Sequence, residues 1–157
     1  MPRRSAGILP FRHRGGNLEV LLVHPGGPFW RNRDEGAWSI VKGELAPDET
    51  PEAAARREFA EETGWTLEGE LIPLGEVRQA GGKVVTGFAV AADYDPETLC
   101  SNTFDMEWPP RSGQIRAFPE IDRAHWFLAA QAEEKLIPAQ RQFLSRLQTA
   151  INDFNIK

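Results

Sequence analysis

Residues 50–64, TPEAAARREFAEETG, carry the chemistry of both ends of a helix. Thr50 can offer its hydroxyl to the first free backbone N–H groups, and Pro51 has the fixed φ suited to a first helical position. Glu52 suits the positive end of the helix dipole. The alanines, arginines and glutamates that follow favour helix, and Gly64 can take the left-handed conformation that ends one. The spacing predicts a helix over 51–63. Glu58, Glu61 and Glu62 then stand at i, i+3 and i+4 on one face, because a helix turns once in about 3.6 residues. Like charges so placed destabilise a helix by roughly a few tenths of a kcal/mol each. A solvated face would account for three such acids. So would a hard divalent cation, which takes a few carboxylates together with water and phosphate oxygens.

Around this helix the chain alternates strand-like runs and loops. SAGILPFRH, 5–13, reads as a strand, with Pro10 marking an edge or a bulge. RGGN supplies a turn, and LEVLLVH, 18–24, completes a hairpin. Residues 25–37 form a glycine- and proline-rich loop carrying Phe29 and Trp30. WSIV, 38–41, reads as a short strand and 42–49 as a loop. Two strand-like runs, 67–80 and 83–92, are joined by GGK. Residues 93–118 are irregular, with Pro96, Pro109, Pro110 and Gly113, and a loop of that length is usually functional or mobile. RAHWF, 123–127, reads as a last strand. Helices follow over 128–137 and 138–152, with Pro138 at the boundary. Such a mixture predicts an α/β or α+β domain, and 157 residues fit a single one, 1–157.

The net charge of −5 argues against a nucleic-acid binder, which would show a basic face. A small anionic substrate is compatible with it, since a bound cation reverses the local field. One cysteine, Cys100, excludes an internal disulfide. With no signal-like N-terminus, this suggests a cytoplasmic protein. No apolar run reaches the roughly 20 residues of a membrane-spanning helix.

From Gly43 the sequence runs G-x5-E-x7-R-E-Φ-x-E-E-x-G-Φ, where Φ is apolar. The fixed points are Gly43, Glu49, Arg57, Glu58, Phe59, Glu61, Glu62, Gly64 and Trp65. This pattern resembles the Nudix box at every fixed position. The resemblance implies a Nudix-type α/β/α sandwich with a mixed β-sheet. It also implies Mg²⁺-dependent hydrolysis of a nucleoside diphosphate linked to another moiety, with Mn²⁺ as a possible substitute. Glu58, Glu61 and Glu62 match the box's metal-ligand positions, and the backbone carbonyl near Gly43 matches a further ligand. Arg57 and Glu49 match a pair that ties the helix to its loop.

The chemistry would place Glu61 or Glu62 as the acceptor of a water proton. Glu120, in FPEIDRAHWF, resembles a functional glutamate outside the box in some relatives. WSIVKGE, 38–44, resembles the W-x-x-P-K-G-E that precedes many boxes, with Val41 in place of proline. Lys42 would face substrate phosphate. Trp30 and Trp38 are candidates to stack on a nucleobase, although core packing suits either. Trp126 reads as core, and His13, His24 and His125 lack ligand spacing. SAGILPFR, HPGGPFW, EWPPRSG and FPEIDRAHWF together resemble a group of small bacterial Nudix proteins. The opening strand and the KG before the box are also similar to those of dinucleoside tetraphosphate hydrolases.

A small nucleotide is therefore the expected partner, with no nucleic acid and no membrane. A dinucleoside polyphosphate such as Ap4A is the first candidate substrate. An oxidised nucleoside triphosphate or a nucleotide sugar is the alternative. A nucleotide sensor without turnover is the reading from another class. RNA decapping would require a basic groove, which the charge balance disfavours.

Overall fold

The computed structural model describes residues 3–154. The chain enters as a hairpin of β1 (Arg4–Arg14) and β2 (Asn17–Pro25). Gly15 and Gly16 turn it with φ of 60° and 81°. Two successive positive φ values are the requirement of a two-residue type I′ turn, and glycine meets it without steric cost. Next come β3 (Val41–Glu44), α1 (Pro51–Thr63), β4 (Ile72–Arg78) and β5 (Val84–Ala91). They are followed by β6 (Thr103–Glu107), β7 (Ile115–Pro119), β8 (Ile121–Leu128), α2 (Ala129–Lys135) and α3 (Arg141–Phe154).

The main sheet runs β4-β5-β1-β2-β8, with β3 attached to β1. β1 and β5 are parallel and the other pairs antiparallel, so the sheet is mixed. Alternate residues of each strand face opposite ways. Ala6, Ile8, Leu21, Val23, Phe88 and Val90 pack with Ala54, Ala55 and Phe59 of α1. Leu9, Phe11, Val20, Leu22, Val85 and Ala89 pack instead with Leu136 and with Phe143, Leu144 and Leu147 of α3. One sheet between two helical layers is the α/β/α sandwich of the sequence reading.

β1 serves two partners on one flank. Ser5–Ile8 pair with β3, and Phe11–Arg14 pair with β2. The Arg4 carbonyl accepts from Leu45 N–H on this flank, while the carbonyls of Arg3 and Phe11 accept from the β5 side. Even-numbered residues of β1 thus turn their backbone groups toward β3 and β2. Pro10, lacking an N–H, falls where β1 passes from one to the other, so no ladder bond is lost. Pro10 therefore marks neither an edge nor a bulge: it lies inside a central strand.

Three further expectations are corrected. The short strand begins at Val41 rather than Trp38, because Lys42 and Gly43 lie opposite Gly7 and Ala6 of β1. Trp38 and Ser39 make only isolated bridges, to Leu136 and Val23. Residues 93–118 are not wholly irregular, since they contain β6 and most of β7, paired as a separate two-stranded sheet. Phe104 and Phe118 meet across that pair with ring centroids 6.0 Å apart. Pro109 and Pro110 lie at its tip, whereas Pro96 opens a 3-10 turn ahead of β6. Finally, Pro138 opens a short 3-10 turn, and α3 begins at Arg141.

Helix α1 has the predicted ends. The Thr50 hydroxyl accepts from Ala53 N–H at 3.2 Å, and Gly64 closes the helix with φ of 74°. Phe59 is fully buried beneath it. We expect Phe59→Ala to lower unfolding free energy by about 3–5 kcal/mol, and Thr50→Ala by about 1 kcal/mol. Urea denaturation would measure both, and equal losses would contradict this division between core and cap.

Candidate active site

The buried positions of α1 are Ala54, Ala55, Phe59 and Thr63. With these facing the sheet, Glu58, Glu61 and Glu62 line an open cavity of about 870 Å³. Gly43 and Lys42 of β3, Trp30 of the glycine-rich loop, and Glu120 between β7 and β8 also line it. Residues far apart in sequence, carrying four carboxylates, are thus brought to one place.

Arg57 organises the carboxylates. Its Nε and one terminal nitrogen donate to the two Glu49 oxygens at 2.9 and 2.8 Å. That nitrogen also donates to the Glu44 carbonyl at 3.1 Å. The other terminal nitrogen donates to Glu58 at 2.8 Å and to Glu61 at 3.2 Å. A planar guanidinium suits this work, because its donors form a rigid fork. Glu49 further accepts from the backbone N–H of Ala46 at 2.8 Å. The hydrogen bonds from Arg57 hold the Glu49 carboxyl down at about 2.

Glu62 has the opposite environment. Burial raises it to about 7, with help from Glu120 and Glu58, while the Asn102 side chain opposes the rise. Burial, with Glu58 beside it, also raises Glu120. Lys42 is brought down to about 8 by burial and by Lys83, and the glutamates oppose that shift. The cavity therefore holds a set of mutually repelling acids and a pair of mutually repelling lysines. An opposite charge would relieve each.

A divalent cation with phosphate oxygens would supply both charges, and the donor set suits such an ion. All the acids present oxygen, as hard cations prefer. Gly43 packs so closely on the Glu58 carboxyl that a Cβ there would overlap it. This leaves the main chain of β3 directly beside the carboxylate. Among the described residues, no three acids, histidines or cysteines stand close enough to enclose an ion as they are. Glu58 and Glu61 turn oxygens to Arg57 instead.

The other sequence candidates separate clearly. Trp30 is 38% exposed on the cavity wall, whereas Trp38 is 3% exposed and absent from it. Trp38 is corrected from stacking candidate to core residue. Its ring meets Phe127 edge-on with centroids 4.9 Å apart, and its indole N–H donates to Asp34 at 2.8 Å. Trp126 is buried, with its indole N–H on the Tyr94 carbonyl at 2.9 Å. His24 lies outside the cavity, fully buried between Asp122 and the Arg33 carbonyl, at 2.8 and 2.6 Å. Sequence reasoning missed Lys83 and Asn102, which line the cavity. The GGK turn held the signal for Lys83, while nothing local marked Asn102.

Two outcomes follow. The Glu58 carboxyl is the movable end of a flexible side chain, so Gly43→Ala should fold normally yet displace it. Circular dichroism should be unchanged while metal-dependent activity falls by about tenfold or more. Glu49 sits near 4.3 when unfolded and about 2 when folded, so its stabilising effect is present above the unfolded value. That effect is lost as pH falls through the folded value. The urea midpoint should drop between about pH 5 and pH 2, and drop less in Glu49→Gln. Parallel curves would contradict the assignment.

Comparison with known proteins agrees with this geometry. The family described as NUDIX domain matches residues 1–147. An octanoyltransferase of Myxococcus xanthus is 33% identical over 137 residues, covering 86% of this chain and 33% of that protein. The chain thus spans about a third of the curated relative it matches. A Caenorhabditis elegans Ap4A hydrolase binary complex superposes with a TM-score of 0.66 at 20% identity, covering 97% and 99% of the two chains. The NUDIX domain of Shewanella oneidensis NrtR, complexed with ADP ribose, superposes at 0.65 with 16% identity, covering 96% and 89%. A mutT/nudix family protein from Listeria innocua gives 0.63 at 21% identity, covering 99% and 98%. With the box, the sandwich and the family match in agreement, this chain belongs to the NUDIX domain family.

Proposed function

We propose that the chain hydrolyses a pyrophosphate bond in a nucleoside diphosphate-linked substrate, with Mg²⁺ or Mn²⁺ bound. The convergence of Glu58, Glu61, Glu62 and Glu120 on one cavity with Lys42 carries this reading. The three box glutamates, with the Gly43 carbonyl, would hold the metal. A bound divalent cation neutralises phosphate oxygens and lowers the pKa of a coordinated water. Glu61 and Glu62 of the box and Glu120 beyond it, all on the cavity wall, are the candidates to accept the proton of that water. Lys42 contributes a compact positive charge to a phosphate oxygen. Arg57 and Glu49 keep the loop against the carboxylates. Trp30, on the rim, offers a face to a nucleobase.

For substrate, a dinucleoside polyphosphate such as Ap4A is the first choice, supported by the likeness in fold to an Ap4A hydrolase. Oxidised nucleoside triphosphates and nucleotide sugars come next. Purified protein, stripped with chelator and resupplied with Mg²⁺, should release product from one of these on a chromatographic panel. Glu62→Gln should lower that turnover by about 10²-fold or more, and Lys42→Ala should raise KM by about tenfold. Nucleotide binding without product in single-turnover conditions would overturn hydrolysis in favour of a sensor.

A further inference from the structure

A second cavity, of about 240 Å³, opens between the glycine-rich loop and the β6–β7 hairpin. Gly27, Arg31, Trp108, Arg116, Phe118 and Asp122 line it. The hydrolysis described above uses none of them. Trp108 is half-buried and meets Phe29 edge-on with centroids 5.6 Å apart. Arg31 and Arg116 are exposed. Among the described residues, neither guanidinium has a side-chain hydrogen bond or an ion pair. Asp122 is already engaged by His24 at 2.8 Å and Arg123 at 3.7 Å. An indole flanked by two uncommitted guanidinium groups suits a ligand that is both aromatic and anionic. The indole stacks on a ring, and a guanidinium pairs with phosphate through two parallel bonds.

The two cavities draw lining residues from the same two stretches of chain, 25–31 and 118–122. Gly26 donates its N–H to the Glu120 carbonyl at 3.0 Å, and a Cβ on Gly26 would overlap the Pro119 carbonyl. Pro25, Trp30, Glu120 and Ile121 line the large cavity, while Gly27, Phe118 and Asp122, each within two residues of one of them, line the small one. Ligand pockets commonly enclose about 300–1,000 Å³. At about 240 Å³ the small cavity falls below that range, so it suits one end of a two-ended molecule whose remainder lies in the large one.

We propose that the small cavity is a nucleoside monophosphate subsite, which takes the base and nearest phosphate of the far half of a substrate whose pyrophosphate lies at the carboxylates. The inference rests on the hydrolase reading for the direction from which the ligand arrives. Adenosine 5′-monophosphate, titrated without metal and followed by the indole N–H resonances of the five tryptophans, tests it directly. Trp→Phe variants assign each signal. The Trp108 resonance should move, and Arg116→Gln should weaken the apparent affinity by about tenfold. Because Arg116 is exposed, the buried Trp38 and Trp65 signals should stay in place and report an intact fold. Movement of Trp30 alone, or an affinity unchanged in both Arg116→Gln and Arg31→Gln, would overturn the subsite. Dinucleoside polyphosphate turnover measured in parallel separates the two readings. Turnover with a silent Trp108 overturns the subsite alone, whereas a responsive Trp108 without turnover supports the subsite and overturns dinucleoside polyphosphates as the substrate.

Discussion

One guanidinium holds the candidate site in shape. Arg57 reaches back eight residues to Glu49, across to the Glu44 carbonyl, and sideways to Glu58 and Glu61. Without it, the loop between β3 and α1 would lose its tie to the helix, and adjacent carboxylates would repel each other unopposed. Each bond taken alone, near a wet surface, is weak. Their value is geometric, because one rigid fork sets the positions of several oxygens at once.

The environments of the acids then diverge. Glu49 is held ionised by its hydrogen bonds, whereas burial and like charges favour the protonated form of Glu62. Two glutamates thirteen residues apart thereby differ in charge preference, one held ionised and the other drawn toward its neutral form. The difference comes from partners and solvent access, not residue type.

How much of this the chain discloses depends on how local the deciding force is. Helix α1 was legible to the residue, because Thr50, Pro51 and Gly64 act on their own neighbours. The box acids were legible because one helix face carries them all. β3 was misplaced by three residues, since its limits are set by pairing with Ser5–Ile8, far away in sequence. The β6–β7 hairpin was hidden because prolines at its tip dominate the composition of the whole stretch. Trp38 and Trp30 look alike from sequence. Only the packing of Phe127 and the bond to Asp34 put one in the core and leave the other at the rim.

The division of β1 between two partners has a wider consequence. β3 leads into the box and β2 leads into the glycine-rich loop, so opposite walls of the cavity are suspended from one strand. Their offset is the interval between Ile8 and Phe11. The Gly15–Gly16 turn, beyond both pairings, can lengthen without altering that offset. A single residue inserted at Leu9 or Pro10 would instead slip one wall against the other and turn its side chains to the wrong face. β1 therefore serves as the gauge that sets the width of the cavity, although none of its own described side chains needs to touch a substrate.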